Sequence, residues 1–211
     1  MSAHDTTSAI ETSGPSELIG IDFESLYGII DRDNVHGLNL DVPEQAREII
    51  KSWDEREDTT KFADSGVDDQ LIIHVPFTQN VRVRSVLLKL GRGESTPLRL
   101  RIYANHPSII DFADADSTRP QLDMSLLDGQ IGVTEYPLRI AAFANINALS
   151  LFFSEAVGSE QSRIFYLGFK GDTTSPRKDT SKKIDIPAAN AADAPLVDKL
   201  NEKAASQSTV R

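Results

Sequence analysis

The residues best suited to recognition chemistry in this chain are four arginines arranged in two pairs. "VRVR" at Val81–Arg84 and "LRLR" at Leu98–Arg101 alternate an arginine with an aliphatic residue. Successive side chains of an extended strand point to opposite faces, so Arg82 and Arg84 share one face, as do Arg99 and Arg101. If the two strands pair, four guanidiniums gather on one patch. A guanidinium is planar, weakly hydrated and matched to carboxylates, so Arg82, Arg84, Arg99 and Arg101 are the candidate partner-binding residues, with an acidic protein surface as the partner. The competing reading is plainer: long basic side chains coat the wet side of a sheet.

The other titratable groups offer less. His4, His36, His74 and His106 form neither H-x-x-H nor H-E-x-x-H spacing, and His74 sits among buried-type residues where a structural role is expected. "DFADADSTRP" collects Asp111, Asp114 and Asp116, but it lacks the glycine of a calcium loop and reads as a solvated turn. The acids Asp54, Glu55, Glu57, Asp58, Asp64, Asp68 and Asp69 also read as a solvated loop, since a sequence gives no carboxylate separation by which a glycosidase pair among them could be picked out. With no cysteine in the sequence, thiolate nucleophiles, disulfides and cysteine-bound zinc are excluded. There is no G-x-S-x-G elbow, and "LGRGESTP" lacks the Lys-Ser/Thr of a phosphate loop, reading instead as a hairpin connection. No nucleophile, base and orienting group can be assembled, so the expectation is a non-enzyme without cofactor or metal.

The elements that must position these residues show two periods. "IDFESLYGII" places Phe23, Leu26, Tyr27 and Ile30 on one face of a short helix. "DVPEQAREIIKSW" predicts a second helix, capped by Asp41 with Glu44 three residues on, carrying Ala46, Ile49, Ile50 and Trp53 on its apolar face. From Gln70 to Phe169 the period is two. "DDQLIIHVPFTQNVRVRSVLLKL" reads as two strands hinged at "PFTQN", with Leu71, Ile73 and Val75 opposing Ile72 and His74. Leu98, Leu100 and Ile102 oppose Arg99, Arg101 and Tyr103; Leu149, Leu151 and Phe153 oppose Ser150, Phe152 and Ser154. "PLRIAAFAN" reads as a strand, and "RIFYLGFKG" places Phe165, Leu167 and Phe169 on one side. After Ser85 both faces turn apolar, which predicts a β-bulge or a strand end covered on both sides. Short strands, turn residues between them and no intervening helices predict an all-β antiparallel sandwich with one or two short N-terminal helices.

The chain's 211 residues suit one domain with tails. Residues 1–16 are Ser/Thr-rich and read as a disordered N-terminal tail, residues 17–171 as the domain, and residues 172–211 as a mostly disordered C-terminal tail. A short helix through Leu196, Leu200 and Ala204 is the one element the tail suggests. The net charge of −10 disfavours nucleic acid as a partner, because an acidic domain repels phosphates. The apolar runs are too short to cross a bilayer, and the first residues carry no secretory pattern. These traits predict a monomer of the cytoplasm or nucleus that does not engage membranes.

Four blocks carry a family resemblance: "LYGIIDRDNVHGLN", "DDQLIIHVPFTQNVRVRSVLLKL", "PLRLRIYANHPSIIDFADAD" and "YPLRIAAFANINALSLFFSEAVGSEQSRIFYLGFKG". In order and spacing they resemble the PITH domain, the C-terminal proteasome-interacting domain of thioredoxin-like proteins, over about Gly20 to Gly171. The resemblance implies a jelly-roll β-sandwich of the galactose-binding-like type and association with the proteasome regulatory particle. It implies no catalytic residues. Members with a thioredoxin domain carry C-x-x-C, and this cysteine-free sequence is similar instead to the stand-alone PITH proteins. A non-enzymatic protein-interaction module is therefore the first expectation, and a small-ligand or glycan-binding jelly roll is the alternative.

Overall fold

The computed structural model describes residues 25–173 apart from 107 and 159. The N-terminal tail, Phe23, His4, most of the C-terminal tail and its suggested helix lie outside the described residues. In chain order the regular elements are β1 (His36–Leu38), α1 (Gln45–Glu48), β2 (Ala63–Asp64), β3 (Leu71–Leu90), β4 (Pro97–Ala104), α2 (Phe112–Ser117), β5 (Leu122–Ser125), β6 (Thr134–Pro137), β7 (Ile146–Ala156) and β8 (Arg163–Thr173). Among the described residues, two short 3-10 turns precede β1 and three more lie between the later elements.

The organising element is β3. It is one continuous strand of 20 residues, where two hinged strands are expected from sequence. Its first half pairs antiparallel with β1 and β7, and its second half with β8 and β6. One chain segment therefore belongs to two layers. The first sheet runs β1, β3, β7, β4, β5; the second runs β2, β8, β3, β6. The change of partner falls at "PFTQN". Pro76 has no N–H for a ladder bond, the register shifts between Pro76 and Val81, and Thr78–Asn80 lie exposed. The strand does not reverse there, because its outgoing half finds β8 as a new partner in the same direction of travel: Val81 opposes both Ile146 of β7 and Thr173 of β8.

Both sheets turn aliphatic and aromatic side chains inward. Leu71, Ile73, Val75, Val81, Val83, Val86 and Leu88 of β3 meet Leu100 and Ile102 of β4, Leu149, Leu151 and Phe153 of β7, and Leu167 and Phe169 of β8. The alternation read from sequence holds for these strands. Phe165 is the exception. The register slips between Lys89 and Leu90, so Phe165 leaves the row and packs edge-on against Phe62, while Ile164 takes the inward place. The switch at Ser85 is a bulge, with the register shifting between Val83 and Ser85, and beyond it Leu87 and Lys89 are buried on the outer side as well.

Three local expectations need correction. "PLRIAAFAN" is no strand: β6 ends at Pro137 and Ile140–Phe143 forms a 3-10 turn, with Leu138 and Phe143 buried and Ile140 exposed. Residues 91–96 do not close a hairpin. They carry the chain from β3 in the second sheet to β4 in the first, through the turn Gly93–Ser95. The second helix is only one turn long, without the Asp41 cap, and Trp53 starts a separate 3-10 turn. Ala46, Ile49 and Ile50 are buried as expected, but Trp53 remains 43% exposed.

Candidate functional site

The crossing of β3 decides where the arginines go. Val81 and Val83 face the core, so Arg82 and Arg84 stand on the outer face of the second sheet. Leu100 and Ile102 face the core from β4, so Arg99 and Arg101 stand on the outer face of the first. β3 and β4 are not paired, and β7 lies between them in the first sheet. The four guanidiniums therefore form two separate pairs rather than one patch.

The first-sheet pair is largely consumed within the fold. Arg99 grips Asp123 with both Nε (2.9 Å) and Nη2 (2.8 Å) and donates to Glu155 at 2.8 Å. These bonds hold the Asp123 carboxyl below its usual range. Arg101 lies 4.1 Å over the Phe152 ring and contacts Asp116 at 3.3 Å, under the cover of α2. Around it Ile72, Tyr103, Ile110, Ala115 and Phe152 form a small cluster outside the main core. Asp111 does not belong to a turn but caps α2, accepting from the Asp114 N–H at 2.7 Å.

The second-sheet pair sits differently. Arg84 pairs with Asp172 at 2.7 Å. Arg82 has no acidic partner among the described residues, and its buried Nε lacks a hydrogen bond. Opposite them on β8, Lys170 is salt-bridged to Glu135 at 2.6 Å, and Glu135 also accepts from Ser85 at 2.6 Å. The ammonium of Lys170 lies 5.9 Å from the Trp53 ring centroid. Arg56 stacks on the same indole at 4.2 Å and donates to the Trp53 carbonyl at 2.7 Å. Arg82, Arg84, Lys170, Trp53 and Arg56 thus follow one another across a single face.

Residues 51–61, which enter and begin the acidic loop read from the sequence at 54–69, position the tryptophan. Lys51 is buried and donates to the carbonyls of Asp58 (2.6 Å) and Lys61 (2.9 Å); burial lowers its pKa. Lys89 donates to the carbonyl (3.0 Å) and carboxylate (2.6 Å) of Glu57, which keeps that carboxyl below its ordinary range. Two lysines therefore fasten the loop to the sheet. Beside it, burial pushes the Tyr166 phenol up to about 12. Glu57 and Asp58 serve these lysines and a turn, whereas Asp64, further along the loop, grips Arg163 at 2.6 Å and Asp69 accepts from the Ala156 N–H at 2.7 Å.

Sequence periodicity missed Trp53 by extending the preceding helix through it. "SWDE" held the signal, because Ser52 followed by Glu55 is the pattern of a new N-terminus. Ser52 is the N-cap of that turn, though without a side-chain bond to its N–H groups; its hydroxyl donates to the Glu55 carboxylate at 3.1 Å. Of the described histidines, His74 and His106 are held by local contacts and His36 is exposed. His74 Nδ1 lies 3.0 Å from the Ser150 hydroxyl, His36 is its cross-strand neighbour, and His106 Nδ1 lies 2.9 Å from the Ser108 carbonyl.

Comparison with known proteins agrees with this architecture. Among solved structures, CpGH89CBM32-5 of Clostridium perfringens, in complex with GalNAc-β-1,3-galactose, superposes with a TM-score of 0.51. It is 10% identical, and the match covers 70% of this chain and 100% of that one. That likeness shows the fold, a galactose-binding-like jelly-roll sandwich. PITH domain-containing protein 1 of Mus musculus is 33% identical over 170 residues, covering 81% of this chain and 79% of that protein. Its Dictyostelium discoideum counterpart is 32% identical over 180 residues, covering 84% and 86%. The family model described as PITH domain matches residues 18–188. A match of that extent, with relatives a third identical over most of their length, places this chain in the PITH domain family.

Proposed function

We propose that this protein is a non-enzymatic interaction module that docks an acidic protein surface on the outer face of its second sheet. The observation that carries the reading is the row Arg82, Arg84, Lys170, Trp53 and Arg56 on a chain of net charge −10. Tryptophan and arginine are the residue types that most often dominate binding energy at protein interfaces, and this tryptophan is pre-set by its loop. Arg82 supports the reading further: Asp172, its cross-strand neighbour, is paired with Arg84, so among the described residues the Arg82 guanidinium makes no ion pair and can take a partner's carboxylate. Membership of the PITH family makes the proteasome regulatory particle the partner to test, in the cytoplasm or nucleus.

The test is affinity isolation of the tagged protein from native extract, analysed by mass spectrometry, with two charge-reversed variants beside wild type. Arg82→Glu combined with Trp53→Ala is expected to reduce recovery of regulatory-particle subunits by about tenfold or more, the effect of losing roughly 1.4 kcal/mol. Arg99→Glu should leave it unchanged, because that side chain is engaged within the first sheet. Equal recovery with all three folded proteins would move the contact elsewhere, and no recovery with wild type would sink the proteasome reading. The glycan alternative has the fold class in its favour, but the exposed indole already carries the Arg56 guanidinium on its ring.

A further inference from the structure

The first sheet ends at β5, whose one strand neighbour among the described residues is β4. The Leu126 N–H donates to the Leu98 carbonyl at 2.7 Å, and Leu100 opposes Met124. Alternation in an antiparallel ladder then directs the main-chain groups of Leu122 and Met124 toward β4 and those of Asp123 and Ser125 toward the open edge. Among the described residues nothing receives the outward N–H groups of Asp123 and Ser125. An unpaired row of this kind is a template for another strand.

Beside the start of β5 lies an open hollow of about 440 Å³, lined by Arg119, Pro120, Gln121, Leu122, Asp123 and Arg139. Arg139 follows β6, so the hollow joins the edge strand of one sheet to the loop leaving the edge strand of the other. Its polar groups are not equivalent. Gln121 Oε1 accepts from the Ala104 N–H at 2.8 Å, and the Asp123 carboxylate is held by Arg99. Arg119 and Arg139 are exposed and have no ion pair among the described residues. The free cationic groups therefore outnumber the free anionic ones locally, against the sign of the whole chain.

We propose that the β5 edge accepts an extended acidic protein segment as an added strand, pairing with the main chain of Asp123 and Ser125 and setting carboxylates on Arg119 and Arg139. Strand addition draws affinity from main-chain bonds and selectivity from side-chain pockets. A four-residue strand supplies few of the former, so the two arginines carry the choice of an acidic sequence. This surface lies on the first sheet and is independent of the face around Trp53.

The experiment titrates the full-length, ¹⁵N-labelled protein with a capped eight-residue peptide alternating glutamate and threonine, and with its lysine counterpart. The glutamate peptide is expected to shift the Asp123 and Ser125 amide signals and slow their exchange with solvent. Arg119→Glu with Arg139→Glu should weaken it about tenfold or more. Ser125→Pro removes an outward donor and should abolish binding with both arginines intact, while the remaining amide dispersion is preserved. The arginine variant alone decides the matter if the proline variant does not fold. No shift at about 1 mM peptide, a range corresponding to roughly 4 kcal/mol of binding, would overturn the proposal. So would equal binding of the lysine peptide, shifts retained in both variants, or peptide-free self-association through β5, which would assign the edge to a second copy.

Discussion

At the scale of single residues, chemically identical groups have been given different work by what lies beside them. Arg101 and Arg82 both have a buried Nε without a hydrogen bond, yet Arg101 spends its cation on the Phe152 ring and Asp116 while Arg82 makes no ion pair among the described residues. His74 gives the residue scale its prediction. It is half-buried on the outer side of β3, and burial, followed by the charge of the neighbouring His36, lowers its pKa from 6.5. As pH falls through about 6.5, the unfolded chain takes up this proton before the folded one does. The folded state therefore loses stability as pH drops from neutrality, and regains it as pH rises. Urea unfolding midpoints at pH 7.5 and 5.5 check the sign. Wild type should lose more between them than His74→Gln, whereas parallel losses would assign the effect to the carboxylates.

At the scale of elements, the second sheet depends on how closely β3 approaches β8. A Cβ placed on Gly171 would run into the main-chain carbonyl of Arg82, so only glycine lets the two strands close there. Gly171→Ala should cost about 1–3 kcal/mol, the range for forced overpacking, and appear as a lower thermal midpoint. Wild-type stability in that variant would show that the pairing at Val83 is loose. The same strand shows what sequence made legible. Alternation placed Leu71, Ile73, Val75, Val81 and Val83 on the core side because period two is a local property. Ser85 announced its bulge for the same reason. Whether "PFTQN" reverses or continues depends on β8, more than 70 residues downstream, and no local signal carries that. The arginine patch was lost with it: the spacing gave each pair a face, but the faces belong to different sheets. "PLRIAAFAN" was apolar enough for a strand, but the residues after Pro137 are a connection that buries two side chains and leaves the others outside.

At the scale of the whole molecule, a strand shared by both sheets makes their stability a joint property. Leu71–Pro76 completes the first sheet and Val81–Leu90 the second, so neither sheet can separate without tearing β3 in the middle. Phe77 lies at that point, buried and edge-on to Phe169 of β8 with ring centroids 5.7 Å apart. A sandwich whose sheets met only through side chains could open one layer at a time. Here the covalent backbone ties the layers, and native-state hydrogen exchange should find one opening unit. The amides of Leu100 and Leu151 in the first sheet and of Leu88 and Phe169 in the second should share an opening free energy to within about 1 kcal/mol. Leu88→Ala, a core truncation in the second sheet, should cost about 2–5 kcal/mol and lower the protection of Leu151 across the sandwich by the same amount. If Leu151 kept its protection while Leu88 and Phe169 lost theirs, the two halves of β3 would be separate cooperative units, and the crossing at Pro76 would be a hinge rather than a tie.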